Sequence, residues 1–203
     1  MFVLTMDQRG SRKDQDRVPA LLDSLRAVPA LLPFERSVGD EVQGVLTDAD
    51  AVVDVVLDVL RRGGWYIGIG AGAVQEPLPR SPREAGGPAF VAARKAVERA
   101  KKLGERVPLC VRPDPATGSE AAAHAAAAEA VLALLGRLVR NRTDAEWRVL
   151  DLLQPGARGQ QVEVAARLGV SPQAVSKAVF RSGWQEEQGG RAAAAILLKL
   201  ADE

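Results

Sequence analysis

The dipeptide Gly39-Asp40 is the sequence feature that most restricts the possible folds of this chain. It separates two short segments with strand character, 34–38 and 41–46, and Gly-Asp between such segments is a signal for a hairpin. A tight hairpin forces its two strands to pair antiparallel, which disfavours a doubly wound parallel sheet. We therefore predict an antiparallel sheet around this turn.

Strand-like and helix-like patterns alternate on both sides of the hairpin. A buried apolar strand precedes it, and segments of helical, extended, helical and extended pattern follow it in that order. The resulting order is β-α-β-β-α-β-α-β, whose first six elements are ferredoxin-like, with an antiparallel sheet and helices on one face. The segments other than the hairpin are the strands 2–6, 65–72 and 107–111 and the helices 18–28, 48–62 and 90–102.

The rest of the chain divides into a linker and a small helical domain. Pro113-Asp114-Pro115 interrupts the regular pattern, and an alanine-rich stretch that favours helix runs from 120 to 139. This helix is either a spacer between domains or a dimerisation helix. We predict an α+β domain over 1–112, a linker with a connecting or dimerisation helix over 113–141, and an all-α domain over 142–203, whose last helix follows Gly189-Gly190.

Composition excludes several classes of protein. The single cysteine, Cys110, rules out a disulfide framework, and together with the single histidine, His124, it rules out zinc folds built on Cys and His ligands. The 27 Lys and Arg residues nearly balance the 26 Asp and Glu residues, so no global field attracts nucleic acid or membrane. We find no signal peptide and no apolar stretch that approaches a bilayer span. We therefore expect a cytoplasmic protein without membrane association.

A short segment of the C-terminal part follows the pattern of a helix-turn-helix. Small Ala165 permits two helices to cross closely, Gly169 supplies the turn, and Val170 is expected to be buried. Ser171 is a helix N-cap and Pro172 takes the first helical position. The segment resembles the helix-turn-helix of bacterial regulators and of DNA readers similar to sigma factors. The alternative is a helical bundle that only packs.

The helix-turn-helix interpretation predicts which side chains meet double-stranded DNA. Base edges are expected to be read by side chains in the first turns of the second helix, and a phosphate by a basic residue at its end. The expected DNA contacts are Ser171, Gln173, Ser176, Lys177 and Arg181. Because the domain is only weakly positive, we expect modest affinity unless the protein forms a homodimer.

Two aspartates suggest a site in the N-terminal domain. Asp7 closes the first strand and Asp40 lies at the tip of the hairpin, so the two carboxylates can meet and hold Mg²⁺, whose remaining ligands come from water and phosphates. Arg9, Arg12 and Lys13 follow Asp7 before a helix N-terminus, a place that favours phosphate. The alternative is that Asp7 caps a loop and Asp40 belongs to a turn.

The order of several motifs resembles class III nucleotide cyclases, and Gly39-Asp40-Glu41 resembles a degenerate form of the GGDEF signature of diguanylate cyclases. Nearly the whole chain is similar to SatD-type bacterial proteins, which join such a domain to a C-terminal helix-turn-helix. The motifs are Asp7 after an apolar strand, Arg36 to Glu41, Ile67 to Gly70, and Gly87 to Arg94.

The resemblance implies a nucleotide cyclase palm and gives roles to individual residues. Asp7 and Asp40 match the metal-binding aspartates, Arg36 falls at a purine-selecting position, and Arg94 matches an arginine that stabilises the transition state. Phe90 stands where cyclases have the asparagine that orients the ribose, which implies binding of a nucleotide without turnover.

These observations predict a DNA-binding regulator that responds to a purine or cyclic nucleotide, with or without Mg²⁺. Two alternatives remain. One is an enzyme, namely a divergent cyclase or phosphotransferase with an appended DNA-binding module. The other is an interaction module for another regulator or for RNA polymerase, in which the palm is only a dimerisation platform. The loop 75–88 either folds over the ligand site or is an unstructured surface loop. The predicted ligand-binding residues are Asp7, Arg9, Arg12, Arg36, Asp40 and Arg94.

Overall fold

The computed structural model describes residues 1–11, 13–104, 106–157 and 159–203. Within them the protein is α+β, with one five-stranded mixed sheet and eight helices. The strands are β1 (Phe2–Gln8), β2 (Leu32–Arg36), β3 (Glu41–Leu46), β4 (Trp65–Ala71) and β5 (Leu109–Pro113). The helices are α1 (Val18–Leu25), α2 (Ala49–Arg62), α3 (Pro88–Ala100), α4 (Ser119–Asn141), α5 (Asp144–Leu150), α6 (Gln161–Leu168), α7 (Pro172–Arg181) and α8 (Trp184–Ala201).

The strands lie in the order β2-β3-β1-β4-β5. The predicted hairpin is present, with Gly39 at φ +60° in the turn and β2 antiparallel to β3. β1 pairs antiparallel with both β3 and β4, but β5 joins β4 in parallel. The sheet is therefore mixed, not purely antiparallel as predicted, because the crossover through α3 returns β5 in the direction of β4.

The two faces of the sheet carry different partners. Alternate β1 residues such as Leu4 and Met6 point into the main core, where α1, α2, α4 and α8 cover the sheet. Val3 points to the opposite face and packs with Ala89 and Ala93 of α3. The next two residues of this alternation, Thr5 and Asp7, bring polar groups to the α3 face.

Helix α4 reaches the length and hydropathy that a membrane span needs, with a mean hydropathy of 1.5 over 18 residues, contrary to the sequence expectation. A third of that window is buried inside the protein. Its inner side, including Leu132 and Leu135, packs into the main core against β5 and α8. Core packing therefore accounts for part of its apolar composition.

The helices α5, α6 and α7 surround a small core of their own, centred on fully buried Val175. Gly169 ends α6 in the left-handed conformation, and the Ser171 Oγ caps α7, both as predicted. Val170 was expected to be buried, but it is 46% exposed. Its backbone N–H donates to the Ala165 carbonyl, so Val170 closes the turn through its main chain.

Helix α8 begins at Trp184 and continues through Gly189-Gly190, where the sequence predicted a break. A Cβ on Gly190 would lie 2.5 Å from Leu135 Cδ2, so the missing side chain lets α8 lie close to α4. The C-terminal part of α8, including Leu198, packs into the main core. The small helical unit is thus attached to the sheet domain through α8 as well as through α4.

A charged and aromatic network lies at this attachment. Arg142, between α4 and α5, forms an ion pair of 2.5 Å with Glu187 of α8, and both side chains are 1% exposed. Arg142 also donates to the Ser182 carbonyl. Two guanidinium groups stack on the Trp147 ring, that of Arg61 at 3.8 Å and that of Arg142 at 4.8 Å from its centroid.

Candidate functional site

The first candidate site is a row of polar side chains on the α3 face of the sheet. The antiparallel register places Glu41 of β3 directly opposite Asp7 of β1, and Tyr66 of β4 opposite Asp7 on its other side. Residues opposite each other in antiparallel strands point to the same face. The carboxylate beside Asp7 is therefore that of Glu41.

Basic side chains of α3 and of its C-terminal cap complete the row. The Lys101 Nζ lies 2.8 Å from Asp7 Oδ2 and 2.9 Å from Glu98 Oε1. Arg94, on the same helix two turns earlier, is close enough for its charge to act on Glu41. We call Asp7, Glu41, Arg94 and Lys101 the sheet-face cluster; it holds two carboxylates and two cations.

Burial and charge shift the pKa values within the cluster. Burial raises the pKa of the Glu41 carboxyl and the Asp7 charge raises it further, while a Ser37 hydrogen bond and Arg94 oppose the shift without cancelling it. Burial alone would lower the pKa of Lys101, but its hydrogen bonds to Asp7 and Glu98 outweigh that and raise it. Lys101 is thus held as a cation against Asp7.

Three other predicted ligand residues, Arg9, Arg36 and Asp40, lie at the edge of this row. The Arg9 guanidinium stacks 5.0 Å from the centroid of the Tyr66 ring. Arg36 donates to the Gly39 carbonyl and forms an ion pair of 2.5 Å with Asp16. Asp40 accepts a backbone hydrogen bond from Gln8 at the hairpin tip. Arg12 lies outside the described residues.

Buried Gln8 fixes the loop that carries Arg9. Its side chain Nε2 donates to the Gln15 carbonyl at 2.7 Å, and its Oε1 accepts from the Arg17 N–H at 2.8 Å. The chain from β1 to α1 is therefore held against the sheet end. No sequence pattern had indicated this role for Gln8.

The loop between β4 and α3 folds back onto the sheet. The Ser81 Oγ donates to Glu35 of β2 at 2.6 Å, and Leu78 and Ala85 pack against the apolar cluster under α3. Arg80 and Arg83 lie on its exposed side. The loop is therefore packed against the β2 edge and the apolar cluster under α3. Whether it also covers a ligand stays a prediction.

The second candidate site is the outer face of α7. Gln173, Ser176 and Lys177 are exposed along this face, whereas Ser171 holds the helix N-terminus by accepting from the Ala174 N–H. Phe180, one turn further, is 83% exposed. The outer face of α7 therefore combines polar side chains with one exposed aromatic ring near its C-terminal end.

Arg181 lies at the end of α7, beside α4 and α5. Its Nε is 3.8 Å from Glu146 Oε1. Glu146 belongs to the capping box at the start of α5, in which it accepts from the Thr143 N–H at 2.9 Å. Arg181 therefore borders both the exposed face of α7 and the junction with the sheet domain.

Three side chains of these sites were not singled out from the sequence as site residues. Glu41 was passed over for Asp40, because the sequence did not show which residue of the hairpin faces Asp7. Lys101 is far from Asp7 along the chain, so only the packing of α3 reveals the pair. Phe180 could have been found from its position seven residues after Gln173, which places both on one helix face.

Among the described residues no group of three or more His, Cys, Asp or Glu side chains is arranged to hold a metal ion. Comparison of the chain with protein-family models, with curated proteins and with solved structures found no match. The function is therefore argued from the geometry of the sheet-face cluster and of α7.

Proposed function

We propose that this chain is a DNA-binding transcriptional regulator whose sheet domain binds a nucleotide. The observation that carries the proposal is the α6-turn-α7 unit, with Gly169 in the turn, Ser171 at the cap and Val175 fully buried. This unit supports the helix-turn-helix assignment because it leaves one whole face of α7 free to enter a major groove.

The exposed face of α7 has the chemistry for base recognition. Gln173 can bond the adenine edge in a bidentate manner, Lys177 can bond guanine, and Phe180 can contact a thymine methyl group. The seven helical steps from Gln173 to Phe180 rise about 10 Å, which is the length of about three base pairs. We propose that Ser171 and Arg181 contact the phosphates on either side.

Selection of binding sites from a random duplex pool by the full chain tests this proposal. We expect one enriched sequence, and we expect Gln173→Ala and Lys177→Ala each to weaken binding to it by roughly tenfold, measured by fluorescence anisotropy. Lys95→Ala is the matched control, because Lys95 is an exposed cation on α3. The proposal is wrong if no sequence is enriched or if Lys95→Ala weakens binding as much as Lys177→Ala.

The sheet domain supports the second half of the proposal. The order β4-β1-β3-β2, antiparallel throughout, with α1 and α2 on one face, supports a ferredoxin-like palm. This supports a likeness to nucleotide cyclases and to SatD-type proteins. We propose that a purine or cyclic nucleotide places its phosphates near Arg94 and Lys101 and its base near Arg9.

Magnesium is compatible with this site only after a rearrangement. Asp7 and Glu41 supply two carboxylates, and Mg²⁺ takes its other ligands from water and phosphate. The Lys101 ammonium already lies 2.8 Å from Asp7, so it would have to move for a cation to bind there. A nucleotide phosphate that attracts Lys101 would release the carboxylate.

Catalysis is the second candidate function, and the adjacent carboxylates of Asp7 and Glu41 favour it. A Mg²⁺-dependent cyclase or phosphotransferase would lose turnover in both Asp7→Asn and Glu41→Gln. Incubation of the purified chain with ATP or GTP and Mg²⁺, followed by mass spectrometry, distinguishes the two. Thermal stabilisation without product supports the sensor, whereas a cyclic or transferred product that both variants lose supports the enzyme.

A cytoplasmic homodimer completes the proposal. Two copies double the phosphate contacts that one weakly positive helical unit can make, and they match a two-fold symmetric site. Sedimentation at several protein concentrations, with and without the selected duplex, tests it. A chain that stays monomeric on its DNA site contradicts the dimer without affecting the assignment of α7.

A further inference from the structure

A pocket lies where the sheet domain meets the helix-turn-helix unit. It has a volume of about 440 Å³ and is formed by the C-terminal part of α4, the start of α5 and the end of α7. Small-molecule sites have volumes of roughly 300–1,000 Å³. This pocket is separate from the sheet-face cluster and shares one residue, Arg181, with the proposed DNA interface.

The wall of the pocket is cationic. Arg137, Arg142 and Arg181 line it together with one carboxylate, that of Glu146. That carboxylate accepts from the Thr143 N–H, which lowers its pKa, so it stays charged within the helix cap. Arg142 is already paired with Glu187, and Arg181 lies 3.8 Å from Glu146. The positive charge that an anion would neutralise is therefore that of Arg137, for which the described residues provide no ion pair.

Arg142 gives the site a preformed part. Its side chain is 1% exposed and is held by Glu187 and by the Ser182 carbonyl. Its Nη2 has no hydrogen-bond partner among the described residues, and a buried donor without a partner is costly. A bound anion would supply the missing acceptor once Arg142 turns toward the pocket, because Nη2 has almost no exposed surface in its present position.

The floor of the pocket is apolar. Leu134 is 68% exposed, and Leu138 lies beside it on the next turn of α4. Exposed leucine next to arginine favours a ligand that combines an apolar body with an anionic group. The apolar body would be buried against the leucines, and the anionic group would form charged hydrogen bonds with the arginines.

We propose that this junction pocket binds a small organic anion, a carboxylate or phosphate monoester with an apolar body, as an effector. A ligand held between Arg137 of α4 and Arg181 of α7 would favour one orientation of α7 relative to the sheet domain. This effect on DNA rests on the proposed function, whereas binding of the anion does not. The nucleotide of the sheet-face cluster and this effector therefore act at different places.

Isothermal titration of the full chain with four probes tests the proposal. The probes are phenyl phosphate and benzoate, which carry both parts, inorganic phosphate, which lacks the apolar body, and benzyl alcohol, which lacks the charge. We expect saturable binding of phenyl phosphate or benzoate that is at least tenfold tighter than binding of the other two probes. Equal binding of inorganic phosphate would indicate a nonspecific basic surface and overturn the proposal.

Two variants locate the binding site. Arg137→Gln removes an exposed guanidinium that lines the pocket, and we expect it to weaken binding by about tenfold or more. Arg140→Gln is the matched control, since Arg140 lies on the same helix but does not line this pocket. Equal affinities of the wild type and Arg137→Gln would overturn the proposal, as would equal losses in both variants or no binding of any probe.

Asp7→Asn separates this proposal from the nucleotide site. We expect it to leave binding of phenyl phosphate unchanged, because Asp7 lies in the sheet-face cluster. If the anion binds as expected but α7 selects no DNA sequence, the pocket stands and the proposed function fails. If α7 selects DNA and no probe binds, the proposed function stands and the pocket fails.

Discussion

Glu41 shows how one position along a strand decides the chemistry of a site. The sequence placed Asp7 and the hairpin near each other, because an antiparallel turn brings those strand ends together. It did not show which of Asp40 and Glu41 faces Asp7, since side chains alternate between faces and a shift of one residue reverses them. The observed register pairs Asp7 with Glu41.

The raised pKa of Glu41 predicts how Glu41→Gln changes stability with pH. A raised pKa in the folded state means that folding favours the protonated form. The stability from this group is full below the unfolded pKa of about 4.5 and is lost as the pH rises through the folded value. We therefore expect the melting temperature of Glu41→Gln, relative to that of the wild type at the same pH, to rise by ~2 °C from pH 4 to pH 7.

Glu98→Gln is the control with the opposite sign. A hydrogen bond from Lys101 lowers the pKa of the Glu98 carboxyl, so its stabilisation is present at neutral pH and is lost as the pH falls through the folded value. Melting curves at half-unit pH steps measure both variants. A difference between Glu41→Gln and the wild type that does not change with pH would contradict the shift.

At the scale of elements, sequence patterns predicted most helices and strands because their causes are local. Asp48 caps α2 and Gly63 ends it, and the alternation of β4 places Ile67 and Ile69 in the core, all within a few residues. The break predicted at Gly189-Gly190 was wrong because the reason for Gly190 is a close contact with α4, which is distant in sequence. Contacts between elements are what local patterns cannot show.

Gly68 and Gly70 of β4 are also explained by a close contact with another element, here α3. A Cβ on Gly68 would lie 2.5 Å from the Ala93 carbonyl oxygen, and one on Gly70 would fall on the Ala89 carbonyl oxygen and the Ala93 backbone nitrogen. These atoms belong to the α3 backbone, which cannot move aside as a flexible side chain can. The two glycines therefore set the distance between α3 and the sheet.

Gly70→Ala is therefore expected to destabilise the fold by about 3 kcal/mol, which is near the upper end for overpacking in a core. Gly189→Ala is the matched control, since a Cβ there meets nothing within 4 Å and alanine favours helix by about 1 kcal/mol. Urea unfolding of the two variants gives both free energies. If Gly70→Ala lowers the free energy of unfolding by less than about 0.5 kcal/mol, the size of an ordinary surface change, then α3 does not lie against β4 as described.

At the scale of the whole molecule, the sheet domain and the small helical unit of α5, α6 and α7 share a charged link. Arg142 and Glu187 are both buried, and Arg191 extends the link from Glu187 to Asp54 of α2. A buried charge that loses its partner is strongly destabilising, although a buried pair adds little compared with apolar residues of the same size. The sequence predicted neither member of this pair, because they are 45 positions apart (187 − 142).

The link predicts different costs for single and double substitutions. Glu187→Ala leaves the Arg142 guanidinium uncompensated and is expected to lower the free energy of unfolding by about 3–5 kcal/mol. Arg142→Met combined with Glu187→Leu removes both charges and is expected to recover most of that loss. The Arg191 side chain is 29% exposed. Arg191→Ala is therefore expected to lower the free energy of unfolding by about 1 kcal/mol or less.

Urea unfolding gives these costs, and hydrogen exchange shows where they act. We expect Glu187→Ala to increase the exchange rates of α5–α7 over the wild type by more than those of β1, β3 and β4. The reason is that loss of the link lets the small unit open before the sheet domain does. Uniformly faster exchange would mean that the pair stabilises one indivisible core. A double variant as unstable as Glu187→Ala would show that Arg142 is needed for its contacts with Ser182 and Trp147, and the charge argument would then be wrong.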